Sequence, residues 1–301
     1  MKIHAIQTGT VALTTSWREG VGHGKRRLLN TLLDREWTEP LPIYAFAIEH
    51  PEGVIVVDTG ETARVAEPGY FPRWSPFFRF AVRESVEPEQ EIGPQLERLG
   101  IRPSDVRWVV MTHLHTDHAG GLHHFPGNEI LVSRTEMEYA AGLRGRLRGY
   151  VNKPWPGWFE PTKVDLTPAP FGPFPASLRL TQAGDVTLVP VPGHTPGQLG
   201  VFVEEGDHTV FIAGDSSYTE DAMLRGAADG VGPDEEAEHL THERIRAHAA
   251  LTPTVYLPAH DPETAARLAE RRTVAAAPEK ATASGARRGC ASVEHAPEVI
   301  P

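Results

Sequence analysis

A dense group of histidines stands directly after an apolar run in this chain. The group consists of His113, His115, Asp117 and His118. Three imidazoles and a carboxylate within six positions are good ligands for zinc-like divalent metals. The preceding residues 106–111 read as a buried strand. His113 and His115 can point to the same side as the chain leaves it, whereas Asp117 and His118 can face a second ion.

Three further candidate ligands share one arrangement, a His or Asp directly after a strand-like run. They are His194, His260 and Asp215. Each alone is weak evidence, because a single Asp at the end of a strand is more often a turn or a helix cap. The alternative for the first group, a solvated histidine-rich loop, is rare at this spacing. Together the seven side chains predict a site for two neighbouring cations.

The order of predicted elements indicates sheets packed together with helices outside, an α/β fold. The predicted strands span residues 43–48, 54–57, 106–111, 130–132, 178–180, 186–191, 199–204, 209–213 and 255–257. The predicted helices span residues 92–99, 135–143 and 237–250. Residues 67–86 and 152–175 have no clear period and are predicted to be irregular insertions. Each candidate ligand therefore stands just beyond the end of a strand.

Charge and composition limit the partners. With 29 Lys and Arg against 40 Asp and Glu the formal net charge is −11, which argues against nucleic acid because phosphates require clustered cations. No apolar run suits a signal peptide or a membrane span. We therefore expect a cytoplasmic protein that acts on a small molecule, away from membranes. The oligomeric state stays open, with a homodimer as one expectation.

The chain divides into two predicted parts. Residues 1–270 are expected to form one catalytic domain. Residues 271–301 contain few large apolar side chains and are expected to be a disordered tail. The single cysteine, Cys290, falls in this tail and cannot form an internal disulfide.

The motif H-x-H-x-D-H, the later His in G-H-T-P-G, the Asp in A-G-D and a final His resemble the metallo-β-lactamase superfamily. The resemblance covers roughly residues 3–268. Within the superfamily, the sequence resembles most the N-acyl-homoserine lactone hydrolases, the quorum-quenching lactonases. It implies an αββα sandwich, in which two mixed sheets pack together with helices on the outer faces.

The resemblance also implies how the seven ligands divide between two ions. The implied sets are His113, His115 and His194 for one ion, Asp117, His118 and His260 for the other, and Asp215 as the bridge. A hydroxide bridging the ions would attack the lactone carbonyl. A tyrosine near that carbonyl is a role carried onto Tyr218, for which the alternative is an ordinary half-buried tyrosine. Zinc is the favoured metal, although iron, manganese and cobalt suit the same ligands.

Two further roles are hypotheses. Asp117 is the candidate to pass a proton to the departing ring alkoxide. An apolar channel for an acyl chain would be lined by Trp74, Phe77, Trp155 and Trp158. The commoner use of such aromatic residues is plain packing beneath long loops. Some lactonases carry an aromatic residue at the position of Thr116, so the substrate preference is not predicted.

Three alternative functions remain open. The same fold could hydrolyse another ester, a thioester, a β-lactam or an organophosphate. A nuclease of this superfamily would require a basic surface, which the charge of −11 opposes. A non-catalytic metal-binding domain would use the ions only for stability, but structural zinc sites are closed and mostly single.

Overall fold

The structure, a computed structural model, describes residues 1–151 and 155–275. Two mixed sheets pack face to face and helices cover both outer faces. This arrangement confirms the predicted αββα sandwich.

The first sheet has seven strands in the order β4-β1-β2-β3-β5-β6-β7. Its strands are β1 (Lys2–Leu13), β2 (Leu41–Glu49), β3 (Val54–Val57), β4 (Val82–Ser85), β5 (Val106–Val110), β6 (Glu129–Ser133) and β7 (Thr162–Val164). Strands β4, β1, β2 and β3 pair antiparallel, whereas β3, β5, β6 and β7 pair parallel. The parallel strands end at one edge of the sheet, and the histidine-rich turn leaves β5 at that edge.

The second sheet has five strands in the order β12-β11-β10-β9-β8. Its strands are β8 (Leu178–Arg179), β9 (Val186–Pro190), β10 (Leu199–Glu204), β11 (Thr209–Gly214) and β12 (Thr254–Pro258). The pairing of β11 with β12 is parallel and the other pairings are antiparallel. The carboxyl ends of β9, β11 and β12 therefore lie at the same edge of this sheet.

Ten helices occur in the described part of the chain. They are α1 (Thr15–Arg18), α2 (Lys25–Leu33), α3 (Pro76–Phe80), α4 (Ile92–Arg98), α5 (Thr116–Ala119), α6 (Arg134–Ala141), α7 (Leu143–Arg146), α8 (Glu220–Arg225), α9 (Glu235–Ala249) and α10 (Thr264–Glu270). Helices α4 and α6 cover the first sheet, and α8 and α9 cover the second. No helix among the described residues is both long and apolar enough to cross a bilayer. The cytoplasmic location stays a prediction.

Alternating side chains supply two separate cores to the second sheet. On β10, Leu199, Val201 and Val203 face the first sheet, whereas Phe202 faces the helices. Successive side chains of a strand point to opposite faces. A sheet covered on both sides therefore buries nearly every residue of its central strands, as the burial of β10 and β11 shows. The ligand-bearing turns at the ends of these strands consequently stand on a rigid base.

The first strand was not expected from the sequence. No strand is predicted before residue 43, yet β1 extends over 12 residues. Its register with β2 shifts between Gln7 and Thr10, and Gly9 has a φ of +136° within that irregularity. The bulge interrupts the alternation of polar and apolar side chains, so the strand has no clear period-two pattern.

The two predicted insertions contain short regular elements. Residues 67–86 include α3 and the edge strand β4, and residues 152–175 include β7, with 152–154 outside the described residues. Most of the predicted tail, residues 276–301 with Cys290, also lies outside them. Val274 is buried, and its backbone N–H donates to Thr254 O at 2.8 Å. The domain boundary at residue 270 stays a prediction.

Candidate metal centre

The seven predicted ligands meet where the strand ends of both sheets face each other. The turn after β5 carries His113, His115, Asp117 and His118; His194, Asp215 and His260 follow β9, β11 and β12. Their ligand atoms form three groups, each with all atoms within 4.8 Å of one another. The groups are His113, His115 and His194; His113, His118 and Asp215; and Asp117, His118 and His260.

Asp215 lies between the two sides of the cluster. Its Oδ1 is 3.2 Å from His118 Nε2, and its Oδ2 is 3.6 Å from His194 Nε2 and 3.4 Å from His260 Nε2. Adjacent ligands of a tetrahedral zinc ion lie about 3.3 Å apart, given zinc–nitrogen distances of roughly 2.0–2.1 Å. The two oxygens of one carboxylate can therefore serve two ions.

The ligand atoms of the cluster are arranged to bind metal ions rather than to form hydrogen bonds with one another. Four buried atoms of the cluster have no hydrogen-bond partner: His113 Nε2, His118 Nε2, His260 Nε2 and Asp215 Oδ1. Leaving such atoms unpaired is costly, typically about 1–3 kcal/mol each. His115 Nδ1 and His194 Nε2, 3.0 Å apart, also point at each other. Divalent cations would satisfy all of these lone pairs.

The second ring nitrogen of several histidines is held by a neighbour, which fixes the tautomer that presents the ligand nitrogen. Asp58 Oδ2 is 2.8 Å from His118 Nδ1, Asp229 Oδ2 is 2.5 Å from His194 Nδ1, and Pro42 O is 2.8 Å from His260 Nδ1. Each ring is thus oriented before any ion binds.

Asp58 is held tightly on the side of the first sheet. It directly follows β3 and adopts a φ of +59°, an uncommon conformation for a residue with a side chain. Its carboxylate accepts hydrogen bonds from Thr112 N and Thr112 Oγ1, both at 2.7 Å. The strained backbone and the two contacts with Thr112 aim Oδ2, which also accepts from Thr112 Oγ1, at His118 Nδ1.

Asp229 plays the corresponding part on the side of the second sheet. Its Oδ1 accepts hydrogen bonds from Val231 N at 2.7 Å and Gly232 N at 2.6 Å. Asp229 was not identified from the sequence, because it lies in the irregular segment between α8 and α9, 35 residues after His194. Asp58, by contrast, directly follows a predicted core strand, and this position in the sequence is enough to predict that it orients a ligand imidazole.

Glycines let two ligand turns approach their neighbours. Gly214 has a φ of +53°, and a β-carbon there would lie 2.8 Å from Thr112 Oγ1. Gly193, before His194, has a φ of +152°, and a β-carbon would lie 2.5 Å from Glu238 Cβ. Any larger residue at either position would displace the ligand that follows it.

Glu136 connects the two sides of the centre. This fully buried side chain accepts hydrogen bonds from Leu114 N at 3.0 Å, Thr195 Oγ1 at 2.7 Å and Tyr150 Oη at 2.6 Å. Leu114 belongs to the turn after β5, and Thr195 belongs to the turn after β9. A single carboxylate therefore fixes the positions of two ligand-bearing turns relative to each other.

A cleft opens beside the cluster, with about 400 Å³ of space including its solvent-open mouth. Asp117, Asp215 and Tyr218 reach it, and its apolar wall consists of Val11, Leu13, Trp17, Phe78 and Val82. The side chain of Asp117 is 16% exposed, against 2% for Asp215. Asp117 is thus the ligand carboxylate with better access to solvent and to a bound molecule.

Tyr218 is buried against the cluster. Its ring stacks on His260 with centroids 5.4 Å apart, and Trp17 Nε1 donates a hydrogen bond to Tyr218 Oη at 2.7 Å. Burial, then the charges of Asp215 and Asp229, raise the pKa of Tyr218 well above its ordinary value. The hydroxyl stays protonated at neutral pH, and because Trp17 is the donor in their bond, its own proton is available to the cleft.

Two further carboxyl groups lie near the cleft beside Asp117. Glu84 lines the cleft, and Glu61 is fully buried and accepts a hydrogen bond from Tyr70 Oη at 2.6 Å. Burial, in the first place, raises the pKa of both carboxyl groups. Glu61 and Glu84 therefore contribute less negative charge beside Asp117 than two ordinary carboxylates would.

The four aromatic residues predicted to line an acyl channel do not line this cleft. Trp74 and Trp158 are 60% and 42% exposed, and Trp155 packs against the core beneath α4 and α6. Phe77 is buried, with its ring edge-on to Trp17 at 5.4 Å. The neighbouring Phe78 reaches the cleft instead, because the short helix α3 turns its consecutive side chains in different directions.

Comparisons with known proteins agree with the fold. The profile of the Metallo-beta-lactamase superfamily matches residues 38–270. Probable metallo-hydrolase Rv2300c of Mycobacterium tuberculosis is 34% identical over 194 residues, covering 62% of this chain and 59% of the mycobacterial protein. The chain therefore matches less than two thirds of that relative's length.

Two other similar proteins are lactonases by name. N-acyl homoserine lactonase AttM of Azorhizobium caulinodans is 29% identical over 233 residues, covering 74% of this chain and 83% of AttM. A crystal structure of a B. thuringiensis AiiA mutant with N-decanoyl-L-homoserine bound at the active site superposes with a TM-score of 0.71. It has 24% identity and covers 87% of this chain and 94% of the other. At that identity the superposition supports the fold alone.

Proposed function

The chain belongs to the metallo-β-lactamase superfamily, and from this premise we propose that it is a metal-dependent hydrolase that opens the lactone ring of N-acyl-homoserine lactones. The proposal rests on one observation: seven His and Asp side chains converge beside an open cleft, with ligand atoms left unpaired. Structural metal sites are closed, so the cleft favours catalysis over a purely stabilising role. The lactonase names among the similar proteins support the substrate class.

We assign the ligands to two ions, zinc being favoured. His113, His115 and His194 would hold one, Asp117, His118 and His260 the other, and Asp215 both. Bound there, the ions would supply an acidified water as the nucleophile and Lewis acidity at the carbonyl. The charges of two dications would offset the carboxylates of Asp117 and Asp215.

Two residues of the chain would act on the substrate directly. Tyr218, protonated and already held by Trp17, would donate its hydroxyl proton in a hydrogen bond to the carbonyl oxygen as negative charge develops there. Asp117, whose side chain is partly exposed, would carry a proton to the departing ring oxygen. Trp17 orients Tyr218 and is a positioning residue.

The apolar wall of the cleft suits the acyl chain of such a lactone. Val11, Leu13 and Phe78 border the same cleft as the ligands and Tyr218. A chain on this wall would hold the lactone ring toward Asp117 and Tyr218.

The decisive experiment is a substrate panel with the purified protein. Acyl-homoserine lactones of several chain lengths would be tested beside a thioester, a β-lactam and a phosphotriester, with ring opening followed by proton release. Protein carrying Asp215→Ala, purified identically, controls for contaminating activity. We expect lactone opening in the parent protein alone; turnover of the thioester or the phosphotriester without any lactone would overturn the proposal.

A further inference from the structure

A second group of metal-ligating side chains lies outside the seven-ligand cluster. It consists of Glu91, His123 and His124, whose ligand atoms lie within 4.8 Å of one another. Glu91 directly precedes α4, and both histidines lie in the 3-10 turn Gly120–His124, which follows α5. None of the three belongs to the ligand set described above.

The carboxylate of Glu91 faces both rings with one oxygen. Glu91 Oε2 is 2.6 Å from His124 Nε2 and 3.1 Å from His123 Nε2. Its other oxygen accepts hydrogen bonds from Ala63 N at 2.9 Å and Thr62 Oγ1 at 3.1 Å. These two bonds fix the carboxylate, so Oε2 is aimed at the imidazoles before anything binds.

His123 is oriented as a metal ligand would be. Its Nδ1 lies 3.2 Å from Gly120 O, an acceptor that requires a proton on Nδ1. In the neutral ring Nε2 then carries a lone pair, and this lone pair points at the negatively charged Glu91 Oε2. Such a contact requires a positive species between the two atoms, which is either a second proton on the ring or a bound cation.

His124 is suited to the same ion. Burial, and then the charge of His123, lower the pKa of His124, so this ring favours the neutral form that metals bind. Its ring packs against Gly93, where a β-carbon would lie 2.4 Å from Nδ1. The nearby Glu97 adds negative potential, which favours a cation over neutral ligands.

We propose that Glu91, His123 and His124 form a third metal site, which binds a zinc-class divalent cation independently of the catalytic centre. Two imidazoles and one carboxylate are ligands that zinc accepts, with water completing the coordination. The His123 side chain is 41% exposed, so the ion can enter from solvent. Once bound, it would link the turn that follows the His118 helix to α4 and to residues 62–63.

The test is a zinc titration of the holoprotein with its resident metal in place, in metal-free buffer. Calorimetry would follow binding, and elemental analysis after desalting would count equivalents. We expect the parent protein to take up one equivalent more than His123→Ala. The variant should lose that equivalent or bind it at least ~100-fold more weakly, because even an outer partner of a ligand contributes about 10–100-fold in affinity.

His239→Ala is the matched control. His239 is also exposed, at 45%, and lies 3.7 Å from the carboxylate of Glu235, but it belongs to none of the three-ligand groups found in the described residues. It should retain the extra equivalent. Glu91→Gln keeps an oxygen that can accept from Ala63 N but removes the negative charge. This variant should also lose the extra equivalent of zinc.

Thermal unfolding supplies an independent readout. Zinc should raise the Tm of the parent protein and of His239→Ala, but not that of His123→Ala, because an ion that binds only the folded state stabilises it. Equal zinc uptake and equal Tm shifts in all four proteins would overturn the proposal and leave a hydrogen-bonded cluster only. Since the catalytic ligands are untouched, this outcome would not bear on the proposed lactonase activity.

Discussion

The two sheets contribute to the candidate metal centre in different ways. The seven-stranded sheet supplies four ligands from a single turn, His113 to His118, whereas the five-stranded sheet supplies His194, Asp215 and His260 one at a time from the ends of three strands. Each side also has one buried carboxylate behind a histidine. We call the ligands from the seven-stranded sheet the first half of the centre and those from the five-stranded sheet the second half. Asp58 supports His118 in the first half, and Asp229 supports His194 in the second.

The difference shows where precision in the site comes from. In the first half, four ligands share one short segment, so their relative positions depend on local backbone geometry, including the strained Asp58. In the second half, the ligands are positioned by strand register, since β11 and β12 run parallel and end together. Glu136 and Asp215 then tie the halves to each other.

Removing the group shared by both halves should have the largest effect. Asp215→Ala deletes the carboxylate that lies within 3.6 Å of ligand nitrogens from both sides. We expect activity to fall by more than about 10³-fold, beyond the roughly 10²–10³-fold of a single oxyanion donor. Metal bound at this centre should fall by at least one of the two equivalents expected there.

Asp165→Ala is the control for this variant, because Asp165 is an exposed carboxylate paired with Arg134 on the surface. It should keep its activity and both equivalents of metal. Steady-state rates and elemental analysis on the same preparations check both statements. Full activity in Asp215→Ala would contradict a centre that requires both halves.

Tyr218 tests whether the second half supplies more than ligands. Tyr218→Phe removes the hydroxyl beside the cleft and keeps the ring stacked on His260. We expect kcat to fall by about 10²-fold with little change in KM and no loss of metal, because the hydrogen bond strengthens mainly as charge develops. A fall in metal content would instead assign Tyr218 to the support of His260.

The supporting carboxylates Asp58 and Asp229 allow one histidine in each half to be perturbed separately. In Asp58→Asn and Asp229→Asn, an amide N–H can replace the acceptor that faces Nδ1, which favours the tautomer with a proton on the ligand nitrogen Nε2. Each variant should lose about 10–100-fold in affinity for one ion. Stepwise removal with a chelator should therefore release one ion early in each variant, and the other at the concentration that the parent requires.

The identity of the ion released would show which ion each supporting carboxylate serves. Cobalt substitution distinguishes an ion held mainly by imidazoles from one that also has the carboxylate of Asp117. Asp229→Asn should free the ion of His194, and Asp58→Asn the ion of His118. Simultaneous release of both ions in either variant would show that the two ions bind as one unit.

The same comparison explains how far the sequence could predict the site. The candidate ligands could be identified from the sequence for two reasons. His113 to His118 form a compact motif, and His194, Asp215 and His260 each follow a recognisable strand. The layered fold followed from the order of strands and helices. β1 was missed because the bulge at Gly9 interrupts its pattern.

Other contributors could not be identified because only tertiary packing places them. Asp229 lies in an irregular segment without a motif, and Trp17 meets Tyr218 across 201 positions of sequence. The aromatic residues predicted for an acyl channel are not among those that border this cleft, for a related reason. Composition shows that a segment is apolar, but the direction of each side chain depends on the short helix α3, which decides that Phe78 and not Phe77 reaches the cleft.

The smallest expected effect concerns Trp17, which lies outside both halves and orients Tyr218. Trp17→Phe removes one hydrogen bond of 2.7 Å and retains an aromatic side chain against Phe77. A neutral hydrogen bond contributes about 0.5–1.5 kcal/mol, so kcat should fall by roughly 2–10-fold. In the Tyr218→Phe background the same change should have almost no effect, because the indole then has no hydroxyl to orient. Rates of the two single variants and the double variant measure this coupling, and equal effects in both backgrounds would mean that Trp17 acts through packing alone.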